Sequence, residues 1–328
     1  MQQRPELLLI GPARPVIAGG LADFTVHRLA EAANRDAFFA AIADVRALVV
    51  SAPVEPIDSG LLSRLPKLEI VASFGVGYDH IDVGEAARRG IVVTHTPDVL
   101  TEEVADTAIG LLICTVRELP QAERHLRAGK WRQSHYPLSR ATLRNRKIGL
   151  VGMGRIGMAI ARRLEAFGLP IAYHARRPRP ELAYQYYPQL IGLARAVDTL
   201  IVIVPGGAAT QNMIDGHVLE ALGPEGILVN VARGSVIDEA ALIAALKTQK
   251  IMAAGLDVFV NEPEVPTELL AMENVVLLPH VGSASVFTRE RMDQLLVDNI
   301  LAWAAGEPPL TPVPQTPWRQ WPSLPLKA

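Results

Sequence analysis

Three polar side chains in the second half of the chain could carry out one reaction together. They are Arg233 in "NVARGSVIDEAAL", Glu262 in "GLDVFVNEPEVP" and His280 in "LLPHVGSAS". An imidazole is suited to giving or taking a proton near neutral pH. A carboxylate bonded to it would orient the ring and favour its charged form. A guanidinium can hold a carboxylate and a neighbouring carbonyl oxygen at once. Singly, each has an ordinary reading: a capping His, a loop Glu before Pro263, a surface Arg. In order, each at the end of an apolar run, they fit hydride transfer to the ketone of a 2-oxo acid, which needs a proton donor at the carbonyl oxygen.

The hydride donor has its own signature. "GLVGMGRIGMAIARRLEAFG" places Gly152, Gly154 and Gly157, with Arg155 and Ile156 between them, straight after the apolar run "KIGLV" and at the start of a helix. That context fits a tight turn, close approach to a pyrophosphate, and a helix N-terminus aimed at the anion. The next apolar run, "PIAYHA", ends where such sites usually carry an acid for the ribose hydroxyls. This chain has His174, Arg176 and Arg177 there. An acid would repel a 2′-phosphate, whereas guanidinium groups bind phosphate through short, charge-assisted bonds. The turn therefore predicts NADP(H) as the cofactor.

The surrounding elements must place these groups on one edge. Short β-branched runs alternate with helical segments, which predicts α/β architecture with parallel sheets. The early strand candidates are "ELLLIG", "RALVVS", "LEIVASFG" and "GIVVTH", and "HRLAEAANRDAFFAAIA" reads as an amphipathic helix. One long helix is expected from Leu100 to Gly129, with Thr101 as its N-cap. Six further strands follow: "KIGLVG", "PIAYHA", "DTLIVIVP", "GILVNVA", "AAGLDVF" and "NVVLLPH". A last amphipathic helix, "SVFTRERMDQLLVDNILAWAAG", leads into a proline-rich tail carrying Trp318 and Trp321. The expected organisation is two Rossmann-like or flavodoxin-like parallel-sheet domains, the nucleotide domain (100–289) inserted in a substrate domain (1–99 and 290–328).

Bulk properties narrow the class. The 328 residues carry a net charge of -2, which advertises no affinity for nucleic acid or an anionic membrane. No apolar stretch reaches the roughly 20 residues of a membrane span. The single cysteine, Cys114, can form no internal disulfide and reads as a structural thiol. A cytoplasmic protein with no metal is expected.

These motifs, with "ASFGVGYDHID", resemble the D-isomer-specific 2-hydroxyacid dehydrogenases to about Val313. The resemblance implies that Arg233 binds substrate, that His280 is the acid/base and that Glu262 is its partner. It implies that the N–H groups of Val76 and Gly77 cradle the substrate carboxylate. Thr107, Val204, Pro205, Ala232 and Asp257 match positions lining the cofactor site. Members are usually homodimers built on the nucleotide domain through the long helix and the arm with "GKWRQSHYPL". Within the family the basic "HARRP" and the short arm resemble the NADPH-dependent glyoxylate/hydroxypyruvate reductases, including the hydroxyphenylpyruvate reductases. The segment "QTPWRQWPSLPLKA" extends past the family's usual end and has no functional account. Two other readings share the fold: a dinucleotide-sensing binding protein, and a dehydrogenase of another substrate such as phosphite.

Overall fold

The computed structural model describes residues 4–52, 54–316, 318 and 320–324. The chain divides into two compact units, one made of the segments up to Leu100 and from Ser285 onward, the other Thr101–Ala284. The boundary expected at 289/290 lies inside a helix, Val286–Ala304.

The first unit holds a five-stranded parallel sheet, formed by β1 (Glu6–Ile10), β2 (Thr25–Arg28), β3 (Ala47–Val50), β4 (Ile70–Ser73) and β5 (Val92–Thr94) in the order β2-β1-β3-β4-β5. Its inner strands are continuous apolar runs because helices cover both faces. Leu8, Leu48, Val50, Val71 and Val93 are all essentially inaccessible. Helix Val286–Ala304 starts at Ser285, whose hydroxyl accepts the Thr288 N–H, and buries Met292, Leu296, Ile300 and Trp303. The Trp303 indole N–H is bonded to Glu69. The tail turns back over this helix end, where Leu324 N–H bonds Ala304 and Trp318 packs edge-on against Trp321.

One expectation fails here. "HRLAEAANRDAFFAAIA" is not a continuous helix. It opens within β2, passes through a 3-10 turn, and becomes helical only at Arg35–Ala41. Asn34 causes the restart, because its side-chain oxygen takes the Ala37 N–H and ends any helix running in from the N-terminal side. The amphipathic signal came from the second half alone.

The second unit is built on a seven-stranded parallel sheet of β6 (Ile148–Val151), β7 (Ile171–His174), β8 (Gln185–Tyr186), β9 (Thr199–Val202), β10 (Ile227–Asn230), β11 (Ala253–Leu256) and β12 (Val275–Leu277). Its order, β12-β11-β10-β9-β6-β7-β8, reverses between β6 and β9. At such a switch point the loops leaving the strands diverge and open a crevice for a ligand. The six expected strands are joined by β8, whose two residues are too few to give a periodic pattern.

The long helix expected from Leu100 to Gly129 is two helices, Thr101–Arg117 and Leu119–Arg127. Between them Glu118 is left-handed at φ 53°. Pro120 has no N–H to give back to Val116, so the ladder breaks there. Thr101 is the first helical residue rather than the cap before it. Cys114, on the first of these helices, is only partly exposed and burial pushes its thiol upward, away from nucleophile chemistry.

Candidate active site

The glycine loop occupies the switch point. Gly152 takes φ 109°, and a Cβ there would stand 2.6 Å from the Ile203 carbonyl oxygen beside Val204. Gly157 must also be glycine, since its Cβ would meet the Gly152 oxygen at 2.4 Å. Gly154 differs: it precedes helix Arg155–Ala166, caps it with no side chain, and has open space where a Cβ would point. The first N–H groups of that helix, at Arg155, Ile156 and Gly157, therefore face a cleared surface suited to an anion.

At the end of β7 there is no carboxylate. His174 is half-buried, with Nδ1–H donated to the Tyr187 carbonyl at 2.9 Å. Arg176 and Arg177 are exposed and make no ion pair among the described residues. A third arginine from the same run, Arg179, reaches back to the Met153 carbonyl in the glycine loop at 3.0 Å and pairs with Glu181. Two free guanidiniums, a cleared helix start and no opposing acid together fit a phosphorylated dinucleotide.

Arg233, Glu262 and His280 come together beyond the ends of β10, β11 and β12. Asn230, the fully buried last residue of β10, accepts the Ala232 N–H and donates to the Arg233 carbonyl, which sets the turn that carries Arg233. The loop then runs against the one after β11 so closely that a Cβ on Gly234 would lie 1.9 Å from the Phe259 carbonyl carbon. On the facing loop Glu262 accepts the Phe259 N–H through Oε1 and bonds His280 Nδ1 through Oε2 at 2.6 Å. Burial pushes the Glu262 carboxyl up. The His280 bond, the Phe259 N–H and the charges of His280 and Arg233 outweigh it and hold the carboxyl below its ordinary range. Glu262 is thus the anion of the pair, and His280 Nε2 is left facing outward on a side chain 45% exposed.

Asp257 builds the turn beneath the imidazole. Its carboxylate, in a residue only 2% exposed, takes the N–H groups of Val281 and Gly282, and its carbonyl takes the His280 N–H. Burial raises its pKa, and those two N–H groups pull it back only in part. His280 itself is held at φ 53°, which a non-glycine residue adopts only under such constraint. Thr107 donates to the Gly282 carbonyl and so abuts the same turn. Ala232, next to Arg233, is buried, while Val204 and Pro205 follow β9, with the Val204 side chain beside Gly152.

Val76 and Gly77 lie in the first unit, on the loop leaving β4. Both are half-buried, and among the described residues neither N–H has an acceptor. Two successive free N–H groups make an anion-binding concavity.

The matching family model is that of the NAD binding domain of the D-isomer specific 2-hydroxyacid dehydrogenases, over residues 109–282. A glyoxylate/hydroxypyruvate reductase A of Arabidopsis thaliana is 48% identical over 82% of this chain and 85% of its own length. A 2-ketogluconate reductase of Gluconobacter oxydans is 41% identical over 95% of this chain and the whole of its own. Among solved structures, the NADPH-dependent glyoxylate/hydroxypyruvate reductase of Sinorhizobium meliloti in complex with NADP and malonate is 54% identical, with a TM-score of 0.92 over 98% of this chain and all of that one. The chain belongs to the D-isomer-specific 2-hydroxyacid dehydrogenases.

For this dehydrogenase, the sequence pointed to candidate reactive side chains but not to those that hold them. Asn230 was hidden as the polar end of the apolar run "ILVN", although a buried amide closing a strand is a signal of a braced turn. Arg179 was concealed among three arginines of one run. Asp106, in "EEVADTAI", pairs with Arg163.

Proposed function

We propose that this dehydrogenase reduces small 2-oxo acids, glyoxylate and hydroxypyruvate among them, to D-2-hydroxy acids with NADPH. The observation that carries the reading is the 2.6 Å bond from His280 Nδ1 to Glu262, with Nε2 left facing outward. With Glu262 charged and bonded to Nδ1, the ring is oriented so that Nε2–H gives its proton to the carbonyl oxygen as that oxygen becomes an alkoxide. Glu262 keeps the ring from turning, and Asp257 keeps its backbone in place. Arg233 holds the substrate's carboxylate and carbonyl. In the first unit the Val76 and Gly77 N–H groups form a cradle suited to a carboxylate. When bound, the cofactor supplies the hydride, its pyrophosphate held at Gly154, Arg155 and Ile156 and its 2′-phosphate at Arg176 and Arg177. An oxyanion such as phosphite has no carbonyl for His280 to protonate.

The same reading makes the enzyme a cytoplasmic homodimer. Leu119, Leu126, Trp131 and Leu138 are 45%, 54%, 60% and 95% exposed along one continuous stretch. Such a run of exposed apolar side chains supports a protein partner. Among the described residues no helix is long and apolar enough to cross a membrane.

Arg233→Lys tests the assignment. It keeps the charge and loses the fork, so kcat/KM for hydroxypyruvate should fall by about 10- to 100-fold, the equivalent of one charge-assisted bond of about 1.5–3 kcal/mol. The KM for NADPH should hardly change. A loss concentrated in NADPH binding would move Arg233 to the cofactor site.

A further inference from the structure

We infer that His95 is a positioning residue for the substrate carboxylate, acting through the peptide plane between Val76 and Gly77. The inference rests on the reading that these two N–H groups cradle the carboxylate. It concerns what aims them, which no motif in the sequence announces.

The loop leaving β4 is tied to the segment leaving β5 by three bonds. Gly75, at φ 112°, gives its N–H to the Thr96 hydroxyl at 2.9 Å. The Gly75 carbonyl accepts the Thr96 N–H at 2.8 Å. The Val76 carbonyl is met by His95 Nδ1 at 2.9 Å. A carbonyl only accepts, so Nδ1 carries the proton in this bond.

In a trans peptide the carbonyl and the N–H point in opposite directions. The Thr96 N–H fixes the plane whose other side is the Val76 N–H. The His95 imidazole fixes the next plane, whose other side is the Gly77 N–H. Both cradle donors are therefore aimed away from β5 by bonds made behind them. A carbonyl that accepts a hydrogen bond also polarises its peptide, which strengthens the N–H as a donor.

The bond from the Thr96 N–H is backbone and depends on no side chain. The bond from His95 Nδ1 depends on one side chain. His95 is itself held by its neighbours: its N–H bonds the Thr311 carbonyl, and its carbonyl takes the Thr311 hydroxyl at 2.6 Å. The Tyr78 ring packs edge-on against the imidazole at 5.4 Å, and the Tyr78 hydroxyl bonds Gln315. The ring is thus fixed against the Val76 carbonyl from two sides, an arrangement that packing alone does not require.

The test compares two substrates that differ only in the group the cradle holds. Hydroxypyruvate carries a carboxylate where dihydroxyacetone carries a hydroxymethyl group. With the full-length enzyme and saturating NADPH, His95→Ala should raise the KM for hydroxypyruvate about tenfold, with kcat changed less. Activity on dihydroxyacetone and the KM for NADPH should stay near wild type. His95→Asn keeps an N–H donor close to the position of Nδ1 and should restore most of the loss. If His95→Ala lowers kcat/KM for both substrates equally, or Asn does not rescue, His95 only supports the fold and the inference is overturned. If the wild type itself fails to discriminate between the two substrates, the cradle reading is what falls. Should His95→Ala not fold, the His95→Asn and His95→Gln pair decides, since Gln carries its donor one methylene further out and should show the KM rise that Asn avoids.

Discussion

The two units hold their reactive edges by different means. In the second unit the proposed chemistry lies in side chains: Arg233, Glu262 and His280 stand on successive loops, and buried Asn230 and Asp257 brace the turns beneath them. In the first unit the proposed cradle is backbone: the N–H groups of Val76 and Gly77, which have no acceptor among the described residues, are aimed by bonds to the carbonyls on their far sides. A side-chain site is fragile at its reactive atoms. A backbone site has none to remove and is fragile only where a side chain pins the peptide plane.

The comparison predicts where damage should be greatest. His280→Ala deletes the proton donor, so kcat for reduction should fall roughly 100-fold or more, the usual contribution of a positioned acid. NADPH binding, followed by nucleotide fluorescence, should survive. Near-normal turnover would remove His280 from the chemistry and erase the contrast, since no side chain of the second unit would then outweigh the cradle.

Glu262→Gln should do less and reveal more. The amide still reaches His280 but carries no charge to balance a proton on the ring, so kcat for reduction should fall by less than in His280→Ala, with the KM for hydroxypyruvate little changed. An unchanged kcat would leave Glu262 outside the mechanism. Stability follows a separate sign. The Glu262 carboxyl is held below its ordinary value of 4.5, so its contribution is present above that value and lost as pH falls through the lowered one. Thermal melts should therefore show wild type above the variant at neutral pH, with the gap closing in acid.

This contrast also explains how much could be read in advance. Side chains announce themselves by type, so Arg233, Glu262, His280 and the basic turn at Arg176 and Arg177 stand out in the sequence as candidates. Glycines were legible where they relieve a clash, as at Gly152 and Gly157. Nothing in the types of Val76 and Gly77 marks them as anion donors, and only a resemblance pointed there. His95 lay silent because its role depends on which carbonyl it faces. The strands were readable as buried apolar runs, whereas β2 was not: it lies at the sheet edge, half-exposed, with a helix-like composition after it. The break at Glu118 could have been found from Pro120, since an interior proline costs a helix about 3 kcal/mol.

The most direct test of the central claim is the ratio of kcat/KM for NADPH over NADH, measured with hydroxypyruvate on wild type and on Arg176→Ala. The basic turn offers two guanidiniums, Arg176 and Arg177, that make no ion pair among the described residues, and β7 ends without a carboxylate. A charged hydrogen bond contributes roughly 1.5–3 kcal/mol. The account therefore predicts a ratio of about ten or more in wild type, falling about tenfold in the variant while NADH kinetics stay put. Equal use of both cofactors by wild type would contradict it, as would a ratio untouched by Arg176→Ala and Arg177→Ala together. No turnover of any 2-oxo acid with either nucleotide would instead favour a protein that only binds the dinucleotide.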